Sequence, residues 1–343
     1  MNEIKQNSPY AWFLAARPKT LTGAIIPVLL GSALAFSDGQ FKTAPALLCA
    51  LFACGMQIAA NFINDLYDYL KGSDRADRLG PERACAQGWI TPIAMKRGIM
   101  GMLVFSCLIG CTLLRQCWGQ LPHGGWELIL LGLLCVIFAF LYTTVLSYRG
   151  WGDLLVLVFF GFIPVGGTYY VQAHAITADV WIASLICGLV IDTLLVVNNY
   201  RDREQDALSG KRTLVVRFGE PFGRYLYLGL GVSAVLLSLW FVHAGKIEPL
   251  AFIWAPCIYL YLHVLTWRKM AAIRNGRKLN SILGETSRNM LFFGLLLSAA
   301  LMQDLKGKGR FISSRTSFHN ISGNRRWSLL PPTAGCSGTI QWS

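Results

Sequence analysis

Long apolar segments alternate with short polar segments along most of the chain. About nine of them approach the 17 to 25 residues that a helix needs to cross a hydrocarbon core of about 30 Å. Their approximate bounds are 20–36, 44–64, 98–118, 126–145, 154–173, 180–199, 225–242, 250–267 and 290–302. The pattern predicts an all-α fold, a polytopic membrane helix bundle of about nine transmembrane helices. We expect residues 20–303 to form this intramembrane domain, between a cytosolic N-terminal segment at 1–19 and a basic, disordered tail at 304–343.

Composition supports a membrane protein. Of the 343 residues, 54% are hydrophobic and only 14% are charged, whereas about 25% are charged in a typical soluble domain. The first residues are polar and do not form the charged, apolar and small-residue succession of a secretory signal. We therefore expect the first apolar segment to remain as a membrane helix.

Basic residues are concentrated in alternate loops. The loops at 71–97, 201–217 and 268–278 hold most of them, and the loops on the other side are short and nearly free of lysine and arginine. By the positive-inside rule, the basic loops and the N-terminus face the cytoplasm. The net charge of +13 then reflects topology and attraction to anionic lipid headgroups, and we expect no nucleic-acid partner.

Two polar clusters end apolar segments that run toward the cytoplasm. In "NFINDLYDYLKGSD", Asn61, Asp65 and Asp68 are spaced so that they share one face of a helix, and Asn64 lies beside them. In "NNYRDREQDALSGKRT", Asn198, Asp202 and Asp206 follow one another at intervals of four residues and also share one helix face. The first polar cluster is Asn61, Asn64, Asp65 and Asp68, and the second polar cluster is Asn198, Asp202 and Asp206.

Both polar clusters are predicted to lie at the same membrane depth and to converge on one cavity. A simpler interpretation is that these carboxylates only cap helix ends, but it does not explain why two helices share an Asn-x-x-x-Asp spacing. Converging carboxylates repel one another and need cations. Mg²⁺ prefers oxygen ligands and is commonly held by one or two carboxylates together with substrate phosphates. Nearby cations would bind the remaining phosphate charge: Lys71, Arg78, Arg83, Arg201, Lys211 and Arg212.

At these residues the sequence resembles the UbiA superfamily of intramembrane prenyltransferases, whose two aspartate-rich motifs here read "NDLYDYLKGSD" and "DREQD". In the first motif the third aspartate, Asp74, comes two positions later than in the general pattern. That spacing is similar to the menaquinone branch, the 1,4-dihydroxy-2-naphthoate polyprenyltransferases. The stretches "ARPKTL", "DRLGPERACAQGWITP" and "YRGWGD" resemble the same branch.

The resemblance implies transfer of a polyprenyl group from polyprenyl diphosphate to 1,4-dihydroxy-2-naphthoate, with loss of carbon dioxide and diphosphate, in the inner (plasma) membrane of a bacterium. It implies Mg²⁺ as cofactor and membrane lipid as surroundings. Tyr142 would stabilise the allylic carbocation, and Arg149 would bind diphosphate. Arg17 and Lys19 would bind the carboxylate of the aromatic substrate. The metal ligands would be Asp65, Asp68, Asp74, Asp202 and Asp206, and the diphosphate network would include Asn61, Asn64 and Asn198.

Two alternatives remain open from the sequence. The acceptor could be another aromatic compound, such as 4-hydroxybenzoate or homogentisate, with the same chemistry at the diphosphate. A transport or lipid-binding protein is an alternative of another class, since buried charges in many-helix bundles also occur in carriers. Carriers place polar groups near the midplane, whereas both polar clusters are predicted at one membrane face.

Overall fold

The computed structural model describes residues 4–72 and 78–303, and every regular element in those ranges is helical. Ten helices follow one another along this part of the chain. They are α1 (Pro9–Ala16), α2 (Thr22–Ser37), α3 (Thr43–Leu70), α4 (Pro92–Cys117), α5 (Trp126–Arg149), α6 (Gly152–Ala173), α7 (Ala178–Leu208), α8 (Leu214–His243), α9 (Pro249–Ile273) and α10 (Leu279–Gln303). Helices α5, α6 and α9 each contain a π-helical turn, at Tyr142–Leu146, Leu157–Phe162 and Ile253–Cys257.

The prediction of an all-α bundle is confirmed, because the nine predicted segments coincide with α2 to α10. The predicted ends were wrong where a helix continues past its apolar segment. Helix α3 extends to Leu70 and α7 extends to Leu208, since backbone hydrogen bonding does not stop where the side chains become polar. Both polar clusters therefore stand on regular helix. The expected tail at 304–343 and the predicted ligand Asp74 lie outside the described residues.

Within the described ranges, seven helices are long and apolar enough to cross a membrane, namely α3 to α9. The first two helices, bent by 49° at their junction, would provide an eighth span if they act as one. Helix α10 is not among them, because its first half carries Asn280, Glu285 and Arg288.

Helix α7 is central in the bundle and α5 is peripheral. In their most apolar windows, 67% of the residues of α7 are buried but only 6% of those of α5. The largest apolar core is formed by side chains of α2 and of the five helices from α6 through α10. The outer face of α5 exposes Ile129, Leu130 and Leu133, which fits contact with lipid chains.

Glycines let α6 approach α7 closely. A Cβ atom on Gly161 would lie 2.4 Å from the carbonyl oxygen of Ser184, and one on Gly152 would lie 3.2 Å from the side chain of Leu195. Small residues allow this spacing between membrane helices. The close packing brings the beginning of α6 against the part of α7 that leads into the second polar cluster.

Candidate active site

Asp65 connects three parts of the chain. It is 1% exposed, and its two carboxylate oxygens accept hydrogen bonds from the backbone amides of Ala84 (2.9 Å) and Cys85 (2.8 Å). A guanidinium nitrogen of Arg17 lies 3.9 Å from the same carboxylate. Arg17 has a φ of 52° where α1 ends, in the left-handed region that few non-glycine residues adopt. The carboxylate thus holds the N-terminal segment and the loop after α3 together.

Asp68, one turn further along α3, pairs with Arg83. A guanidinium nitrogen of Arg83 donates to the Asp68 carboxylate at 2.6 Å, which is short even for a charge-assisted hydrogen bond. Only 8% of the Arg83 side chain is exposed, against 21% of Asp68. The pair therefore fixes a mostly buried cation at the end of α3, with its carboxylate partner partly open to the surroundings.

Asn61 anchors the turn between α1 and α2. Its side-chain amide donates to the carbonyl of Ala16 and to the hydroxyl of Thr20, both at 2.9 Å. Asn61 is buried. Its amide therefore provides the carbonyl of Ala16 and the hydroxyl of Thr20 with the hydrogen bonds that water would provide at an exposed turn. Its role in this structure is to position the segment that carries Arg17.

Asn64 and Lys71 join α3 to the end of α5. The hydroxyl of Thr143 donates to the side-chain oxygen of Asn64. The ammonium of Lys71 donates to the carbonyl of Thr144 at 2.8 Å and lies 4.2 Å from the ring centroid of Tyr148. Because these contacts surround the π-helical turn that begins at Tyr142, they fix the place where the predicted cation-stabilising ring stands.

In the second polar cluster, Asp202 is held by the residue before it. Two guanidinium nitrogens of Arg201 donate to the two carboxylate oxygens of Asp202, at 2.7 and 2.6 Å. The third nitrogen of Arg201 donates to the side-chain oxygen of Asn280 on α10 at 2.9 Å. The Arg201 side chain is 2% exposed and that of Asp202 is 22% exposed, so this pair has the same arrangement as the pair on α3.

Only one of the two carboxylate oxygens of Asp206 has a hydrogen-bond partner among the described residues. One carboxylate oxygen lies 3.4 Å from the ammonium of Lys211. The other is buried and has no hydrogen-bond partner among the described residues. Lys211 also lines a small pocket whose walls include Tyr142, Asp153 and Asn199. The second polar cluster therefore adjoins a pocket that contains the predicted aromatic side chain.

The two polar clusters are connected through Asn280. Its side-chain amide donates to the carbonyl of Leu79, in the loop after α3, at 2.8 Å, while its oxygen accepts from Arg201. A Cβ atom on Gly80 would lie 2.8 Å from a guanidinium nitrogen of Arg201. The loop that follows the first cluster therefore lies directly against the second, as convergence requires. Arg78, in the same loop, donates to the carbonyl of Pro81 at 3.2 Å.

Other predicted residues are less closely involved. The side chains of Lys19, Arg149 and Arg212 are exposed. Arg149 and Arg212 contact the site region through the backbone: the carbonyl of Arg149 accepts from Arg217 at 2.8 Å, and the amide of Arg212 donates to the carbonyl of Tyr148 at 2.9 Å. Asn198 is half-buried beside Asn199. The binding roles of these side chains stay predictions.

Sequence reasoning missed Asp153, Asn199 and Asn280 as parts of the site. Asp153 stands at the head of an apolar span, where an isolated carboxylate is a recognisable signal. Asn199 was overlooked because its neighbour Asn198, and not Asn199, has the four-residue spacing of the second polar cluster. Asn280 gives no signal in the sequence, because its contacts reach the loop at 78–81 and α7 only through the folded bundle.

The donor set is compatible with a divalent cation that arrives with phosphate. Within residues 4–72 and 78–303, no three histidine, cysteine or acidic side chains are close enough to hold a metal by themselves. The candidate donors are carboxylate oxygens, including the unpartnered oxygen of Asp206. Mg²⁺ bound by one or two carboxylates, waters and substrate phosphates needs no larger protein cage.

Two Asp–Arg pairs that converge in a helical membrane bundle supply the carboxylates and cations that a metal-bound diphosphate requires. The model of the UbiA prenyltransferase family matches residues 24–301, and the chain belongs to this family. The predicted family is thereby confirmed.

Among its relatives are two bacterial proteins named 1,4-dihydroxy-2-naphthoate octaprenyltransferase. The chain is 38% identical to that of Escherichia coli (strain K12), over 71% of this chain and 81% of the relative. It is 34% identical to that of Haemophilus influenzae, over 85% of this chain and 95% of the relative.

Solved structures share the fold. The apo structure of a UbiA homolog from Aeropyrum pernix K1 superposes with a TM-score of 0.62 at 17% identity, covering 83% of this chain and 98% of that chain. A UbiA homolog from Archaeoglobus fulgidus bound to GPP and Mg²⁺ gives a TM-score of 0.59 at 15% identity, covering 84% and 99%.

Proposed function

We propose that this protein transfers a polyprenyl group from polyprenyl diphosphate to 1,4-dihydroxy-2-naphthoate, releasing diphosphate and carbon dioxide and giving demethylmenaquinone. One observation carries the diphosphate half of the proposal: the pairs Asp68–Arg83 and Arg201–Asp202 are brought together by Asn280, which bonds both to Arg201 and to the loop after α3 that carries Arg83. The names of the relatives support the naphthoate half.

The two polar clusters supply the charges that a diphosphate needs. Asp68, Asp202 and Asp206 are the carboxylates that would hold Mg²⁺, which when bound neutralises charge on the leaving diphosphate. Arg83, Arg201 and Lys211, with Lys71 and Arg78 nearby, donate hydrogen bonds and positive charge toward phosphate oxygens. The predicted metal-binding role of Asp65 stays a prediction, since both of its oxygens are bonded to backbone amides.

Tyr142 shares its pocket with Lys211, which pairs with Asp206 in the second polar cluster. The allylic carbon becomes positive as the bond to diphosphate breaks, and an aromatic face stabilises such a charge. Enclosing walls also keep water from the cation. These properties support the predicted role of Tyr142.

Arg17 is the better placed of the two predicted partners for the carboxylate of the acceptor. Its guanidinium lies 3.9 Å from Asp65 and its side chain is 24% exposed, so it can contact both the site and a ligand. Lys19 is exposed and contributes its carbonyl to Thr22.

The protein is a multi-pass membrane protein, and we propose that it lies in a bacterial inner membrane with its N-terminus in the cytoplasm. The bacterial relatives and the basic loops after α3, α7 and α9 support this placement.

A transfer assay tests the proposal. Purified protein in detergent with Mg²⁺, a long-chain prenyl diphosphate and 1,4-dihydroxy-2-naphthoate should release diphosphate and form a prenylated naphthoquinol. Turnover with 4-hydroxybenzoate but not with naphthoate would move the acceptor to the alternative class. Saturable binding of both substrates with no product would favour the lipid-binding alternative.

A further inference from the structure

Asp153 is a buried carboxylate that the roles given above do not use. It follows Gly152 at the beginning of α6 and is 9% exposed. Neither of its carboxylate oxygens has a hydrogen-bond partner in another residue that the structure describes. Burying such a group without a partner is unfavourable, and ionisable groups within membrane segments generally serve a site or a pathway. The position therefore calls for a ligand.

The ligand must come from the small pocket beside the second polar cluster. Asp153 lines this pocket together with Tyr142, Asn199 and Lys211. Lys211 is paired with Asp206 across 3.4 Å, and the ring of Tyr142 is the proposed neighbour of the reacting carbon. A small polar group such as a hydroxyl that enters the pocket can therefore contact Asp153 beside the reacting carbon.

Hydrogen-bonding chemistry selects which substrate meets Asp153. A carboxylate accepts hydrogen bonds and requires a donor. The prenyl chain is apolar, and the oxygens of an ionised diphosphate accept hydrogen bonds but have none to donate. The aromatic acceptor is the substrate that brings O–H donors, in the form of two phenolic hydroxyls.

We propose that Asp153 is a catalytic residue that accepts the proton of the acceptor's phenolic hydroxyl as the ring attacks the prenyl carbon. The inference rests on the proposed function and deepens it. It places the hydroxyl next to the ring carboxylate in the small pocket between Tyr142 and Asp153, which encloses about 10 Å³ and so has room for this group but not for the aromatic ring.

The step balances without any further reactant. The C–O bond to diphosphate breaks and its electron pair leaves with diphosphate, while the ring carbon bearing the carboxylate forms the new C–C bond. The neighbouring hydroxyl gives its proton to Asp153 and becomes a carbonyl, so that a β-keto carboxylate results. The bond to the carboxylate then breaks, carbon dioxide leaves, and its electron pair restores the aromatic ring. The carbonyl oxygen takes the proton back from Asp153.

The test combines a substitution with a modified acceptor. Asp153→Asn keeps the size of the side chain and removes the proton acceptor. We expect kcat to fall about 100-fold or more, as for the loss of a general base, while the Kd for prenyl diphosphate with Mg²⁺ stays the same. Asp153→Glu should recover part of the rate. Asp179→Asn is the control, because Asp179 also stands in the first turn of its helix, α7, but lies in the ion pair with Lys246 and does not line the pocket, and it should keep its activity per folded molecule.

An acceptor whose hydroxyl next to the carboxylate is methylated removes the same proton from the substrate side. It should slow the natural enzyme about as much as Asp153→Asn does, and it should not slow that variant further. A purely structural role for Asp153 would make the two losses multiply. If Asp153→Asn does not fold, Asp153→Glu is used instead, and the methylated acceptor should remove the rate difference between that variant and the natural enzyme.

The outcomes separate the two proposals. If the natural enzyme turns over naphthoate, three results would overturn the role of Asp153 alone. They are a rate of Asp153→Asn within about threefold of the natural enzyme, an equal loss in Asp179→Asn, and a methylated acceptor that is not slowed. Turnover of 4-hydroxybenzoate alone would overturn both, because its hydroxyl is not next to its carboxylate and the β-keto carboxylate step cannot occur. No turnover with any aromatic acceptor would overturn both.

Discussion

The guanidinium of Arg201 holds both carboxylate oxygens of Asp202, the next residue in the chain, at 2.7 and 2.6 Å. Such two-point contact requires the planar fork of arginine, which an ammonium group does not reproduce. The pair gives Asp202 a fixed direction near the C-terminal end of α7. It also presents a buried cation beside a carboxylate, which is the arrangement a metal-bound diphosphate needs.

We expect Arg201→Lys to weaken the site although it preserves the charge. Losing charge-assisted hydrogen bonds to Asp202 and Asn280 should cost about 1.5–3 kcal/mol, and the rate of diphosphate release should fall at least tenfold. Arg203→Lys is the control, because Arg203 contacts Tyr200 and Glu220 rather than Asp202. Equal rates for the two lysine variants would show that the fork has no special role.

Asn280→Ala should uncouple the two polar clusters. The substitution removes the bonds to Leu79 and Arg201, so the loop at 78–81 loses its attachment to α7. The KM for prenyl diphosphate should rise about tenfold, the equivalent of about 1.4 kcal/mol, and a protease should cut the loop faster. Asn275→Ala, at an exposed position in the turn before α10, serves as the control. An unchanged KM would mean that the clusters act independently.

Binding of prenyl diphosphate should depend on divalent metal and on both clusters. Prenyl diphosphate should raise the melting temperature of the purified protein with Mg²⁺ present, since a ligand that binds only the folded state stabilises it. EDTA should abolish the shift, and so should Asp68→Asn or Asp206→Asn. Glu248→Gln, an exposed acidic side chain before α9, should retain it. A full shift in EDTA would contradict metal-assisted binding.

A separate ion triad holds the opposite ends of the helices. The ammonium of Lys246 lies 2.7 Å from Asp38 and 2.8 Å from Asp179. Burial lowers the pKa of Lys246, but the hydrogen bonds to Asp179 and Asp38 outweigh it and raise the pKa above its usual 10.5. A raised lysine pKa means that the stabilisation is complete below about pH 10.5 and is lost as the pH rises through the folded-state pKa.

Lys246→Met should therefore lower the melting temperature in detergent equally at pH 6 and pH 8, by an amount that reflects about 1–3 kcal/mol. Activity per folded molecule should not change, because the triad is remote from both polar clusters. A destabilisation that disappears between pH 6 and pH 8 would show that a group other than Lys246 controls these contacts.

Much of the fold follows from the sequence, because apolar length alone decides which segments span a membrane. The spacing of Asn61, Asp65 and Asp68 also indicated a common helix face, and the second motif indicated its counterpart. What the sequence could not show is the choice of partners. Asp65 bonds to the amides of Ala84 and Cys85, and such loop contacts leave no pattern in side-chain chemistry.

Asn280 and Asp153 illustrate the same limit. Asn280 bridges segments that are about two hundred positions away in the chain on one side and eighty on the other, so its role exists only in the packed bundle. Asp153 stands in a stretch that resembles the family, but its unpartnered burial is a property of the pocket walls. Periodicity finds helix faces and does not find the contacts between them.

A competition between two acceptors in one reaction shows most directly which aromatic compound the enzyme prenylates. Purified protein with Mg²⁺ and one long-chain prenyl diphosphate is given equal concentrations of 1,4-dihydroxy-2-naphthoate and 4-hydroxybenzoate, and the products are quantified by mass spectrometry against diphosphate released. We predict prenylated naphthoquinol, with its carboxylate lost, in one-to-one ratio with diphosphate. Prenylated hydroxybenzoate as the main product, or diphosphate released without any prenylated aromatic product, would contradict the account.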